Sequence, residues 1–517
     1  MRLSFFNGQH SWSEALLVYT RPRVLMMLFL GFSAGIPLLL IFSSLSIWLR
    51  KAGIDRSTVT YFSWAALAYS FKFIWSPLID KLPLPFLHQL LGRRRSWLLL
   101  MQLLVATAII LIALSDPTQG LQAMIVAVIL LGFASASQDI VIDALRIESA
   151  SKEYQAAMSA LYVAGYRFGM LASGAGSLYL ASWFGQGAEG YNYHAWQWTY
   201  FTMAALMSVG IACTLLSKEP EPNKAIDTQI HTGRDYVQFL GMFLIVTLAF
   251  VLAFIYLDSS LWFQNTLSPI LGDVVAKLSG QLIRILVAIA AALLAGMLVA
   301  HSGFVNRDMV IQTYINPVFD FFYRYRKHAL IILLLIGLYR TSDIVLGVIT
   351  NVFYEDMGFS LQEIASYTKV FGVIMTIVGG LIGGVVTTRF GVMPVLLLGA
   401  ILVVLTNLLF MVLAAKGHDT TWLGIVIAAD NMSAGIATAA FIAYLSSLTN
   451  ISFTAIQYAI FSSLMTMVPK TLGGYSGSMV DQLGYSNFFL VAAMLGIPAI
   501  LLVLYLMYRQ PRQTDTE

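Results

Sequence analysis

Charge is what this chain has least of. Only 11% of its 517 residues are charged while 58% are hydrophobic, against roughly 25% charged in a soluble domain, so a water-facing surface cannot be covered. That excludes a soluble enzyme. Because no basic cluster lies outside short segments, the net charge of +4 does not describe a nucleic-acid-binding face either. Cysteine is nearly absent: Cys213 stands alone inside an apolar run and cannot close an internal disulfide, which excludes a stapled secreted scaffold. Histidine is sparse too. His10, His88, His194, His231, His301, His328 and His418 lie scattered near the ends of apolar runs with no ligand-like spacing, so no metal, no cofactor and no membrane-embedded enzyme is expected.

Long apolar runs are what is there. Stretches of about 20 residues, each able to cross a ~30 Å hydrocarbon core as a helix, recur about fourteen times between short polar breaks. The pattern describes an all-α integral membrane protein. Its spans fall roughly at 24–49, 57–79, 96–115, 121–143, 155–184, 194–217, 236–257, 280–300, 329–353, 361–387, 391–415, 420–447, 454–480 and 484–508. The first is too long for a signal-peptide core and runs into Arg50 and Lys51 with no small-residue cleavage site, so it is read as a span. An even number of spans puts both termini on one side. Of the 30 lysines and arginines, 19 fall in segments on the side of the N-terminus, 5 in the opposite loops and 6 within spans, which predicts cytoplasmic termini. Arg50, Lys51 and Arg56, in the first opposite loop, run against that rule.

The spans form two blocks of similar size. Residues 1–23 read as a cytoplasmic tail, 24–217 as a six-helix bundle, 218–328 as a linker with two additional spans, 329–508 as a second six-helix bundle and 509–517 as a tail. Each block carries a related short loop after its second span. The first is Ser76-Pro77-Leu78-Ile79-Asp80-Lys81 followed by Gly92-Arg93-Arg94-Arg95, the second Gly384-Val385-Val386-Thr387-Thr388-Arg389-Phe390-Gly391. Both resemble the G-x-x-x-D-R-x-G-R-R loop of major facilitator transporters, with Ser76 in place of a glycine and Thr388 in place of the aspartate. The resemblance implies a major facilitator fold, two six-helix halves around a midplane cavity with two extra helices inserted between them, and a gating role for Asp80, Arg93, Arg94, Arg95 and Arg389.

A closer resemblance is carried by Gly31-Phe32-Ser33-Ala34-Gly35-Ile36-Pro37-Leu38, Phe71-Lys72-Phe73-Ile74-Trp75-Ser76-Pro77, Ser135-Ala136-Ser137-Gln138-Asp139-Ile140-Val141-Ile142-Asp143-Ala144, Gly165-Tyr166-Arg167-Phe168-Gly169-Met170 and Ser452-Phe453-Thr454-Ala455-Ile456-Gln457-Tyr458-Ala459. In that order and across both halves they look like the AmpG-type muropeptide permeases. The resemblance implies proton-driven import of anhydromuropeptides across the inner membrane of a Gram-negative bacterium for peptidoglycan recycling, and with it beta-lactamase induction. The partners it implies are a glycopeptide, protons and the lipid bilayer, with the carrier acting as a monomer. The two-span insert departs from the simplest twelve-span plan and is expected at the periphery.

Charges within the spans point to the site without any resemblance. A charged side chain at mid-bilayer costs a few kcal/mol and calls for a partner or a wet path. Asp139 and Asp143 are one helical turn apart, and two carboxylates that close repel when both are ionised, which suits one of them to carry a proton. Asp143 could instead pair with Arg146 or Arg167. Lys72 needs an anion: Asp139, Asp143 or a substrate carboxylate. Arg167 sits among small residues that favour close helix packing, and Lys470 follows it by 303 residues, close to the 308 between Asp80 and Thr388. Arg340 and Asp343 read as a local pair. Lys369 has no acid within a turn, its nearest being Glu363, and is a candidate ligand; Asp430, beside Asn431, is the only acid within its span and could answer Lys369, Lys470 or Arg340 across the cavity. With Tyr69, Tyr162, Tyr166, Gln138 and Tyr339 these residues would line a cavity for sugar and carboxylate groups. The alternatives are a carrier of another anionic conjugate, such as an acyl-coenzyme A or a nucleotide sugar, and a non-transporting membrane sensor, which would have little use for such charges.

Overall fold

The computed structural model describes residues 11–54, 62, 67–151, 154–186, 191–220, 233–258, 273–473 and 476–509, and these are helical with no strand among them. In chain order we number α1 (Trp12–Leu17), α2 (22–51), α3 (67–81), α4 (Arg93–Ala113), α5 (Gln122–Ser149), α6 (155–184), α7 (193–216), α8 (Gly233–Asp258), α9 (Asp273–His301) and α10 (307–325). There follow α11 (329–356), α12 (361–390), α13 (Val392–Lys416), α14 (Thr420–Leu448), α15 (Thr454–Gly473), α16 (Ser476–Met494) and α17 (Ile497–Arg509). Within α16, Gly484 takes φ 73° and ψ 163° and turns the chain over, as only glycine does without strain. Twelve stretches among the described residues are long and apolar enough to cross a membrane, two fewer than the fourteen read from the sequence. The two that fall short are α3, of which residues 67–81 are described, and α6, where the Ala172–Gly176 π-turn interrupts an already small-residue helix.

Helices α2–α7 form one half and α11–α17 the other; one buried apolar cluster lies wholly within each half, and the other two run across the seam, one joining Ala455 and Ala459 to the first half and one joining Ile147 to the second. Small residues let the principal pairs meet backbone to backbone. Between α2 and α6, a Cβ on Gly31, Gly35, Gly165 or Gly169 would stand 1.9–2.2 Å from a backbone oxygen of the facing helix. Between α12 and α14, one on Gly379 would stand 2.1 Å from the Met432 carbonyl and one on Gly435 2.4 Å from that of Thr376. Small-residue seams of this kind drive helix association where no hydrophobic effect operates. A third seam joins the halves: α6 packs on α12, where a Cβ on Gly384 would meet Ala160 at 2.8 Å. Helix α15 packs on α3 and α5 of the first half.

The inserted α8 and α9 pack on each other as a hairpin and expose rows of apolar side chains, including Leu244, Leu248, Ile255, Leu293 and Leu298. On the inner side, Phe71 of α3 meets Phe250 and Phe254 edge-on at 5.0 and 5.5 Å. Helix α10 leaves Phe319 and Tyr323 exposed and buries Phe321. It is tied to the second half by Asp320, which accepts from Gln457 Nε2 at 2.9 Å and Asn450 Nδ2 at 2.9 Å.

Candidate transport site

The site grows from a break in α3. After Phe71 the helix tightens into a 3₁₀ turn over Lys72–Ile74 and restarts at Ser76, with Pro77 unable to donate a backbone bond. This sets Lys72, buried, against α5. Its Nζ lies 3.8 Å from Asp143 Oδ2, whose other oxygen accepts from Arg146 Nη2 at 3.2 Å. Asp139, one turn away and 8% exposed, accepts from the Tyr162 hydroxyl at 3.3 Å and lies within electrostatic reach of Lys72 and Asp143. Asp143 therefore has two cations, whereas Asp139 has a hydroxyl and the field of a lysine already engaged. Tyr69 bonds Ser135 at 2.6 Å, and the Tyr162 and Tyr166 rings lie 6.0 Å apart beside the acids.

Arg146 is fully buried and is the residue that sequence reasoning treated only as a partner for Asp143. Its Nη1 reaches Gln155 at 3.2 Å, Ser159 at 3.1 Å and, across the halves, Ser446 at 2.7 Å, and its guanidinium sits 5.2 Å from the centre of the Tyr458 ring. The signal available was its place one turn beyond Asp143; its partners across the halves, Ser446 and Tyr458, lie 300 and 312 residues further along the chain. Gln138, taken from the sequence as a cavity amide, instead faces the core of the first half. It is fully buried and donates to Ser33 of α2 at 3.3 Å, because it lies on the face of α5 turned away from the acids.

In the second half, Arg340 sits where α11 breaks and pairs with Asp343 as the spacing suggested. Arg167 projects from the first half within electrostatic reach of both and has no hydrogen bond or ion pair among the described residues. Asp430 accepts from Thr406 at 3.4 Å and faces the charge of Asp343. Asn431 has both ends of its amide engaged, to Thr376 at 3.0 Å and to the Ile427 carbonyl at 3.0 Å, so it bridges α12 and α14. The side chain of Lys369 lies outside the described residues. Lys470, read from the sequence as mid-span, stands exposed in the last turn of α15, within reach of the field of Lys72.

The loop residues form a buried network at one end of the bundle. Arg94 Nη2 bridges Asp80 at 2.6 Å and Glu148 at 2.6 Å, and Glu148 accepts from Thr454 of the second half at 2.7 Å. Arg93 stands 3.6 Å from Glu148, whereas Arg95 ties α4 to the Thr214 and Leu215 carbonyls of α7. Glu219 accepts from the backbone of Arg94 and Arg95 at 2.7 and 3.0 Å, completing the α4 N-terminus. The second copy does not reproduce this. Thr388 bonds back to Gly384 within its own helix, and Arg389 stacks 4.6 Å over Trp12 of α1, because no acid stands where the first copy has Asp80. With Arg146–Ser446 and Glu148–Thr454 both made, the halves are closed at this end.

Two helical halves in a membrane, charged groups lodged between them and one end latched, define a carrier. The sequence matches the Major Facilitator Superfamily over residues 24–339 and 329–517. It is 31% identical to "Putative transporter AmpG 4" of Rickettsia conorii, over 95% of this chain and 97% of that one. It is also 31% identical to the "Anhydromuropeptide permease" of Escherichia coli, over 95% and 81%. Among solved structures, the human organic anion transporter MFSD10 (TETRAN) superposes with a TM-score of 0.55 at 13% identity, covering 96% of this chain and 100% of that one. The proton:xylose symporter XylE superposes with a TM-score of 0.55 at 11% identity, covering 97% of each. The chain belongs to the Major Facilitator Superfamily and, within it, to the AmpG-type permeases. It is a multi-pass membrane transporter and not an enzyme.

Proposed function

We propose that this carrier imports anhydromuropeptides from periplasm to cytoplasm by proton symport, from an inner membrane in which both termini face the cytoplasm, and so serves peptidoglycan recycling and beta-lactamase induction. The observation that carries the reading is the asymmetry between the two acids of α5. Asp143 is neutralised by Arg146 and Lys72, whereas Asp139, equally buried, has no ion pair among the described residues, accepting from the Tyr162 hydroxyl at 3.3 Å and sharing only the field of the engaged Lys72. A buried carboxylate without a counter-ion is better accommodated protonated, so Asp139 is the proton carrier and Asp143 the anchor that keeps Lys72 in place. Substrate carboxylates then meet Arg167, Lys470 and, when Asp143 releases it, Lys72. Tyr69, Tyr162 and Tyr166 offer faces to the sugar rings. The Escherichia coli relative named for this transport, at 31% identity, supports the substrate class.

Uptake of labelled anhydromuropeptide into inverted and right-side-out vesicles under an imposed pH gradient tests the reading. Inward accumulation that collapses with the gradient is expected. Accumulation of an acyl-coenzyme A or a nucleotide sugar in its place, or no transport of any of them, would reject it.

A further inference from the structure

A cavity of about 1480 Å³ opens at the latched end, between the start of α2 and the ends of α5 and α7. That exceeds the ~300–1,000 Å³ of a drug-sized pocket. Its rim carries Arg21, Arg23 and Lys218, all exposed. Its walls include Phe29, 48% exposed, and Leu216, 85% exposed. The acids that also line it are already engaged: Glu148 by Arg94 and Thr454, Glu219 by the backbone of Arg94 and Arg95. Arg21 stacks 4.4 Å over the Tyr154 ring, and Arg23 gives one Nη to the Ser149 carbonyl at 2.9 Å. Neither contact neutralises a charge, and Lys218 has no ion pair among the described residues. The rim thus carries three cations with no ion pair among the described residues, beside apolar walls at a helix-end level of the bilayer.

We propose that this groove binds one anionic glycerophospholipid, its phosphate between Arg21, Arg23 and Lys218 and an acyl chain along Phe29 and Leu216. The two parts of the groove select this occupant together. A zwitterionic lipid would cover the walls and leave the cations uncompensated, and a soluble phosphate would answer the cations and leave the walls bare. Basic pockets between helices at the membrane surface are recognised by anionic headgroups through the same two terms. The inference is independent of the transported substrate.

Cysteine chemistry offers the test, since Cys213 is the sole thiol and both it and the exposed Ala212 line the groove. The full chain carrying Ala212→Cys in a Cys213→Ser background is placed in nanodiscs of phosphatidylcholine with or without phosphatidylglycerol. Maleimide labelling is timed, and retained lipid is counted by native mass spectrometry. Phosphatidylglycerol is expected to slow labelling several-fold and to be retained as one molecule per carrier. Both effects are lost in Arg21→Gln/Arg23→Gln/Lys218→Gln, or, should that variant fail to fold, weakened in Lys218→Glu alone. Equal protection by phosphatidylcholine, equal protection by soluble glycerol phosphate, or protection unchanged by the charge substitutions would each overturn the proposal.

Discussion

The two hydrogen bonds that cross between the halves at the latched end make a measurable prediction. Arg146 Nη1 to Ser446 Oγ and Thr454 Oγ1 to Glu148 Oε1 are each 2.7 Å long. Substituting Ser446→Ala and Thr454→Val removes both hydroxyls without stranding a charge. Arg146 keeps Asp143, Gln155 and Ser159, and Glu148 keeps Arg94. The loss for each is therefore nearer the ~1 kcal/mol of an ordinary hydrogen bond than the ~3 kcal/mol of a charged one left bare. In the opened state the same groups return to water, so the difference falls on the closed state alone. The pair should weaken closure by about 2 kcal/mol, a population shift of roughly 30-fold, provided the two sites add. Distances between spin labels on the loops at that end, measured by pulsed electron resonance with and without substrate, report the populations directly. A double variant that stays folded and keeps the wild-type distance distribution would refute the assignment of these bonds as the latch.

The remaining expectations concern other parts of the molecule. Asp139→Asn mimics the protonated acid and should preserve counterflow of muropeptide while abolishing accumulation under a proton gradient, whereas Lys72→Ala should weaken binding itself; full gradient-driven accumulation by Asp139→Asn would pass the coupling role to Asp143 or Asp430. Asp80→Asn breaks the 2.6 Å contact with Arg94 and should shift the access-state populations and slow turnover with binding kept within a few-fold in detergent; lost binding with unchanged populations would contradict a gating role. Gly165→Ala would set a Cβ 1.9 Å from the Leu28 carbonyl, and since overpacking costs about 1–3 kcal/mol even where side chains can yield, melting in detergent should fall by several degrees; an unchanged Tm would show that α2 and α6 can part freely. Deleting 236–300 and bridging the ends removes Phe250 and Phe254 from Phe71 and should lower stability or expression more than transport per folded molecule; a well-inserted deletion without uptake would place the hairpin in the transport path.

Membrane embedding was legible from the sequence because transfer into hydrocarbon is a local property, summed along any run of about 20 residues. The repeat and the odd placement of charge were equally plain, since neither depends on which helix faces which. The Gly31–Gly35 and Gly165–Gly169 spacings could be read as packing surfaces, and they meet each other in the structure. What the sequence could not decide was partnership. Asp139 and Asp143 share a helical face by periodicity, yet the choice of Asp143 for Lys72 and Arg146 depends on a 3₁₀ break in α3 that rotates Lys72 relative to an unbroken helix. Gln138 is adjacent to Asp139 in the chain, but the ~100° turn between successive helical residues sends it to Ser33. Thr454 and Gln457 carried no sign of contact with Glu148 and Asp320, 306 and 137 residues distant. Such pairs exist only where separate helices close on each other, between the halves for Thr454 and Glu148 and within the second half's border with α10 for Gln457 and Asp320, and that closure is a property of the tertiary structure, because the free energy favouring it comes from groups that never meet within one helix.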